Sequence, residues 1–522
     1  MIKTIELKVL PEEASNEELL RKYLLRKARI KSSELTEFRI VRRSIDARKR
    51  PMVQLRIELY IGETHQAEPA ILDTFQDVSE APPVIIVGAG PAGYFCALEL
   101  IELGYRPLVF DRGKDVRSRR RDLRGIQQFG EVNPNSNYCF GEGGAGTYSD
   151  GKLYTRSHKR GNIYKALRLL VEHGTNSDIL VDAHPHIGSN KLPKIVANIR
   201  ETIRHYGGAV HFDSKVTDLL LHDDRIEGIV VNGETEHRAA ATVLATGHSA
   251  RDIYELLHRR NIQLEAKPFA LGVRVEHPQP LIDQIQYRQS PREQALPASS
   301  YRLACQVGER GVFSFCMCPG GLVVPAATAP GEIVVNGMSL SRRDSPYANS
   351  GTVVAIELSD LKVENPVEAV FAGLDFQRSV ERAMFGHGDG SQKAPAQRMT
   401  DFVKGRLSKD LPDSSYIPGL YTAPVHELLP DFVYQRLREG MQTFGRKMKG
   451  YFTEEANVIG TESRTSSPLR IPRQEGTLMH RDAEGLFPCG EGAGFAGGII
   501  SAAMDGQNVA RAVERFLKVL VH

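Results

Sequence analysis

Val84-Ile85-Ile86-Val87-Gly88-Ala89-Gly90-Pro91-Ala92-Gly93 is an apolar run that ends in glycines spaced Gly-x-Gly-x-x-Gly. Four consecutive apolar residues leave no polar face, as expected of a parallel strand buried on both sides. Residues 94–103 continue with helical apolar character, so the stretch reads as strand, tight turn and helix start. Gly88 permits the turn, Gly90 lets backbone approach a pyrophosphate, and Gly93 lets helix and strand pack closely. The helix N-terminus adds unpaired N–H groups and a positive dipole end for the phosphates. A second strand, 107–110, ends at Asp111, about 20 residues beyond the glycines, where a carboxylate accepts hydrogen bonds from an adenosine ribose. The cofactor assignment therefore takes in Gly88 through Gly93, with Asp111 and its neighbour Arg112.

Outward from this segment, the chain has 522 residues, too many for one compact core, and two or three domains are expected. Lys+Arg number 67 against Asp+Glu 64, so overall charge argues for neither a nucleic acid nor an acidic substrate. No apolar run approaches the roughly 20 residues that span a bilayer, and residues 1–10 alternate instead of forming a secretory signal. The 6 cysteines are scattered and form no disulfide framework, which fits a reducing cytoplasm.

Before the glycine segment, residues 2–10 alternate as a strand. Ser15 with Glu18 has the spacing of a capping box for a helix to about Ile30. Two strands follow, 37–43 and 52–60, completing a small β-α-β-β module over 1–62, and a polar linker over 63–83 separates it from the rest. After the glycine segment, residues 209–213, 215–222, 225–232 and 235–239 read as a meander of short strands. A further strand, 241–245, ends in Thr246-Gly247. The fold class is α/β: a Rossmann-type FAD-binding domain built from two chain segments, 84–252 and 456–522, with an inserted α+β substrate or cap domain at 253–455.

The sequence resembles the glutathione-reductase-type flavoprotein superfamily, especially its fumarate reductase and aminoacetone-oxidase-like branches, and within it a group of bacterial FAD-dependent dehydrogenase-like proteins. The resemblance runs through Phe140-Gly141-Glu142-Gly143-Gly144-Ala145-Gly146-Thr147, His184-Pro185-His186-Ile187-Gly188, Lys267-Pro268-Phe269-Ala270, Phe315-Cys316-Met317-Cys318-Pro319-Gly320-Gly321 and Gly485-Leu486-Phe487-Pro488-Cys489-Gly490-Glu491. It implies FAD as cofactor and leaves the substrate open. It places Gly490 and Glu491 at the end of the last flavoprotein strand, with the carboxylate on the ribityl chain; most members have Asp there. Gly497-Gly498-Ile499 opens the last helix, whose N–H groups face the flavin pyrimidine edge. Gly143, Gly144, Ala145, Gly146 and Thr147 match a crossing that packs against the isoalloxazine, where small residues let backbone reach the ring. Val216, Ala245, Thr246 and Gly247 match positions that flank adenine and diphosphate.

Flavin chemistry asks little of the protein beyond positioning, electronic tuning and one proton donor or acceptor. Candidates for chemistry are therefore few. His184 and His186, two apart, share a face if extended, and hydrogen-bonded loop histidines are the alternative. His248 either approaches the cofactor or caps the following helix. Cys316 and Cys318 would share one strand face as a redox dithiol, or serve as buried small hydrophobes. Arg342 and Arg343, with Lys152 and Arg274, are candidate binders of a substrate carboxylate or phosphate, against a default of solvated surface. No metal site is expected, since a second cysteine pair is lacking. The expectation is an oxidoreductase acting on a small molecule, with NADH or NADPH at most a transient donor because no separate domain for it is visible. The alternative is a flavin-containing factor, RNA-modifying in one version, that binds a nucleic acid or protein through Arg42, Arg43, Arg48, Lys49 and Arg50. Sparse stacking aromatics there favour a charged, exposed hairpin instead.

Overall fold

The computed structural model describes residues 1–155, 161–363, 366–495 and 497–521. The N-terminal module is a three-stranded antiparallel sheet with Met52–Ile61 between Ile2–Val9 and Leu35–Asp46. Alternation puts Ile5, Leu7 and Val9 on one face, where helix Glu17–Ala28 buries Leu20, Leu24 and Ala28 against Leu55, Ile57 and Leu59. The helix begins one turn-position later than the expected Ser15–Glu18 box requires. Asn16 is the N-cap, and its side chain accepts the Leu19 N–H at 3.0 Å.

The module is pinned to the rest of the chain. The Arg43 N–H donates to the Val181 carbonyl at 2.8 Å, Ala183 N–H returns a bond to Arg43 at 2.9 Å, and the guanidinium pairs with Asp182 at 2.7 Å. Nor is the segment 63–83 a free polar linker. Ile71 and Leu72 donate N–H bonds to the Glu172 carboxylate at 3.0 and 3.1 Å, and Phe75 and Val78 are buried, because the few apolar residues among the polar ones find a core to join.

A five-stranded parallel sheet follows, in the order Leu486–Pro488, Thr242–Leu244, Pro83–Val87, Arg106–Phe110, Ala209–His211. Its first strand in space comes from near the C-terminus, so two distant chain segments close one sheet. Residues 209–211, expected in the meander, are instead the edge of this sheet, pairing in parallel with Leu108–Phe110. Periodicity assigns a strand but not its partner, and here the partner lies about a hundred residues upstream. Only Val216–His222, Arg225–Val231 and Thr235–Arg238 form the antiparallel meander. Helix Ile499–Val521 packs on helix Pro91–Glu102 so closely that a Cβ on Gly506 would lie 2.1 Å from the Ala92 carbonyl oxygen.

The second unit is a seven-stranded mixed sheet in the order Ala304–Val307, Arg310–Cys318, Tyr347–Ile356, Phe269–Pro278, Asn457–Glu462, Ala394–Arg398, Leu420–Thr422, backed by helix Asp431–Lys447. Two expected boundaries shift. The cut at 252/253 falls inside helix Arg251–Arg259, whose Ile253, Tyr254, Leu256 and Leu257 share a core with the meander. The cut at 455/456 assigned Asn457–Glu462 to the cofactor domain, but that strand pairs with Phe269–Pro278 and Ala394–Arg398. Its continuous burial suits either sheet, so pattern alone does not decide.

Candidate active site

The carboxyl ends of the parallel strands open onto a cleft of about 1520 Å³ of space, open at its mouth to solvent, walled on the far side by the seven-stranded sheet. Gly88 turns the chain at φ 108°, and its N–H donates to the Phe110 carbonyl at 2.8 Å. A Cβ on Gly93 would sit 1.9 Å from the Gly88 carbonyl oxygen, which explains why helix and turn admit only glycine there. Asp111 lines the cleft and ties the first turn to the second strand. Its Oδ2 accepts the Ala89 N–H at 2.9 Å and its Oδ1 the Gly113 N–H at 2.8 Å. Each oxygen retains a second acceptor position. Arg112 bonds Asp252 at 2.7 Å and lies over the Phe140 ring at 4.5 Å.

The second glycine segment crosses the first. Gly143 donates its N–H to the Ala89 carbonyl at 2.8 Å, and the Thr147 hydroxyl closes onto the Glu142 carbonyl at 3.2 Å. That leaves Gly144, Ala145 and Gly146 lining the cleft beside Gly90, Pro91 and Ala92. Val216, Ala245, Thr246 and Gly247 line its other side, and Glu491, Gly498 and Ile499 its C-terminal edge. Gly490 stays in the wall, its N–H held by Asp505 at 2.7 Å. Burial pushes the Glu491 carboxyl up to about 8, with the Lys267 ammonium pulling the other way.

Among the chemical candidates, His248 lines the cleft, bonded to the Ser249 hydroxyl at 2.7 Å. Burial, then Arg464 and Arg251, push its imidazole down to about 4, so it is neutral near pH 7. Cys316 also lines the cleft, with Cys318 fully buried behind it. They do not share a face by simple alternation. Cys316 takes a positive φ of 45°, and the strand register slips between Phe315 and Cys318, so a bulge turns Cys316 toward the cleft. The other three candidates lie away from the lining. His184 is exposed, edge-on to Tyr154 at 5.0 Å; His186 bonds the Ser341 carbonyl at 3.2 Å; Arg342 is exposed. Arg343 pairs with Asp150, and Arg274 is buried on Glu462 at 2.8 Å.

Sequence reasoning missed Asp150, Asn336 and Arg464. Asp150 carried one signal, its place directly after the second glycine segment and before Lys152. Arg464 and Asn336 carried none, since only the packing of the second sheet brings them to the cleft.

The residues present fit a dinucleotide. Gly90 has φ −80° and a Cβ built on it meets no atom nearer than 3.9 Å, while Gly497 lies outside the positive-φ glycines and its Cβ would meet only Glu491 Oε1 at 3.7 Å. Neither dihedral nor internal packing calls for glycine at either position, and at Gly90, which lines the cleft, the small residue leaves room for something that enters there. The Thr246 hydroxyl, buried at its edge without a partner, is a further free group facing the same space.

A family model described as "FAD-dependent protein, C-terminal domain-like" matches residues 268–465, the span of the second sheet, and a model for a domain of unknown function matches 1–60. A Clostridium beijerinckii protein carrying the name "Uncharacterized protein" is 41% identical over 519 residues, covering 95% of this chain and 96% of its own. Similar solved structures include CtdE in complex with FAD, at 11% identity, 84% of this chain, 91% of that one and TM-score 0.32. Halogenase PltM is at 11%, 84%, 70% and 0.37. A geranylgeranyl bacteriochlorophyll reductase-like protein from Thermoplasma acidophilum is at 11%, 84%, 80% and 0.36.

Proposed function

The chain belongs to one family with the Clostridium beijerinckii protein and has FAD as its cofactor, and on that premise we propose that it is an oxidoreductase that passes a hydride or an electron pair between FAD and a small molecule in the cleft. The observation that carries the reading is the pairing of two walls. One is built of glycine turns and helix N-termini, fit for a dinucleotide. The other is built of ionisable and nucleophilic side chains, Cys316, Asn336 and Arg464 from the second unit together with Lys152 from the first.

On this reading Gly88–Gly93 and the helix Pro91–Glu102 hold the pyrophosphate. Asp111 and Arg112 hold the adenosine, with Val216 and 245–247 beside it, and Glu491 holds the ribityl chain. Residues 143–147 would pack against the flavin, and the N–H groups of Gly497–Ile499 would face it. FAD when bound supplies two-electron chemistry; the protein's part is to orient it, exclude water and hold charge. The N–H groups at the start of Ile499–Val521 favour negative charge on the reduced ring. Neutral His248 is placed to accept a proton, and Glu491, protonated below about pH 8 in the free cleft, is placed to donate a hydrogen bond. The dehydrogenase-like character follows the family resemblance, and a nicotinamide donor would enter the same cleft, since no second dinucleotide turn is present among the described residues.

An anaerobic absorbance titration of the purified protein with NADH and then NADPH tests this. Bleaching of the flavin within seconds is the expected result and makes the protein a nicotinamide-linked oxidoreductase. A flavin that resists both nucleotides and dithionite would overturn the reading.

A further inference from the structure

A cluster of reactive groups lies where the second sheet meets the cleft. Lys152 donates through Nζ to the Met317 carbonyl and sits 3.7 Å from Asp150. Arg274, wholly buried, donates to the Cys316 carbonyl at 2.8 Å and reaches the Cys318 sulfur at 3.5 Å. The Cys318 thiol itself lies 3.3 Å from the Cys316 carbonyl. Two cations from different units therefore converge on three consecutive residues, and the backbone of the middle one's neighbour, Cys316, is held left-handed at φ 45°. Left-handed backbone is costly for a residue with a side chain and persists where the surroundings fix it, commonly at functional sites.

Charge bookkeeping points the same way. Lys152, Arg274 and Arg343 carry three positive charges, and the carboxylates that touch them, Asp150 and Glu462, carry two negative ones. A positive excess at the half-buried edge of the cleft favours an anion beside it. The group left to supply one is the Cys316 thiol, which hydrogen bonding from Cys318 and the Lys152 and Arg274 charges bring down to about 5, while Cys318, behind it, is pushed up and keeps its proton. Burial and the Asp150 carboxylate oppose this shift without reversing it.

We propose that Cys316 and Cys318 form an internal redox pair that exchanges two electrons with FAD in the cleft, Cys316 facing the cofactor and Cys318 completing the disulfide. The inference rests on the placement of FAD given above. In the forward step a bond forms between the two sulfurs, the Cys318 S–H bond breaks, and its proton passes with the electron pair to the oxidised cofactor as one hydride equivalent, so charge and electrons balance. Because Cys318 is fully buried while Cys316 lines the cleft, Cys316 is the member of the pair open to whatever the cleft holds.

The test uses holoprotein, titrated anaerobically with dithionite while flavin absorbance is followed. Samples of the oxidised and reduced states are quenched with an alkylating agent under denaturing conditions. The tryptic peptide 311–342 carries Cys316 and Cys318 and no other cysteine. Wild type is expected to take up two electron pairs per FAD, with the peptide passing from a disulfide to two alkylated thiols, while Cys318→Ala keeps its flavin and takes up one pair. Uptake of a single pair by wild type, or a peptide with both thiols free in the oxidised as in the reduced protein, overturns the inference and leaves the oxidoreductase reading intact. A flavin that dithionite does not bleach overturns both.

Discussion

Two glycines three residues apart separate what the fold needs from what the cofactor needs. Gly93 is required by the protein itself, since any Cβ would collide with Gly88. Gly93→Ala is therefore expected to destabilise the chain by about 3 kcal/mol, the upper range for overpacking, seen as a lowered urea midpoint. Gly90 is under no such demand. Gly90→Val should fold with a near-normal midpoint but purify with little FAD and bind added FAD at least about tenfold more weakly, a loss of about 1.4 kcal/mol. Retention of full FAD by that variant would show that the cofactor lies elsewhere. Glu491 gives a pH-dependent expectation. Its carboxyl holds a proton up to about 8 when the unfolded chain releases it near 4.5, so as pH rises between those values ionisation favours the unfolded chain and the folded protein loses stability. In flavin-free protein, the Tm of Glu491→Gln should gain on that of wild type across this interval, and a constant difference would refute the burial argument. The glycine turn was legible because its requirements are local, written within ten residues. Arg464 was not, because its role comes from a partner set gathered from two distant segments, 328–332 and Glu381.

At the scale of elements, periodicity placed the strands and helix of the N-terminal module, the strand and helix of the glycine turn and the strands of 209–245, while their partners did not follow from it. The strand Ala209–His211 and the strand Asn457–Glu462 each carry a pattern that suits more than one sheet. The bulge at Cys316 was equally hidden, since nothing in Phe315-Cys316-Met317-Cys318 announces left-handed backbone at a cysteine. What the elements do fix is the approach of helices Pro91–Glu102 and Ile499–Val521, whose N-termini both meet the cleft. That approach depends on Gly506 against Ala92 and Cys96. Gly506→Leu should force the two helices apart, costing about 1–3 kcal/mol as an overpacked contact and weakening FAD binding at the same time. Normal FAD affinity in a folded Gly506→Leu protein would show that the two N-termini need no such close packing.

At the scale of the whole molecule, the two large units meet across a buried charge quartet. Arg251, on the helix of the cofactor unit, bonds Glu332 at 3.1 Å and Glu381 at 2.9 Å; Arg464, following a strand of the second unit and lining the cleft, bonds the same two carboxylates at 2.8 and 3.0 Å. Two positive and two negative charges balance, and burial makes each dependent on the others. The carboxylates divide unequally. Opposed first by burial, then held by Arg464 and Arg251, Glu381 lies well below its usual range, while burial and the Glu381 charge push Glu332 up. Glu332 is thus the member that tolerates neutralisation best. Arg251→Met removes one positive charge from the junction and should cost about 3–5 kcal/mol in urea unfolding, as breaking a buried pair does. Adding Glu332→Gln to that variant restores neutrality around Arg464 and Glu381, so the double variant should be more stable than Arg251→Met alone, a coupling that a double-mutant cycle measures directly. Strictly additive losses would mean that the four charges do not act as a unit. Because Arg464 also faces the cleft, recovery of stability in the double variant should be accompanied by recovery of FAD content, which links the junction between units to the site that both units build.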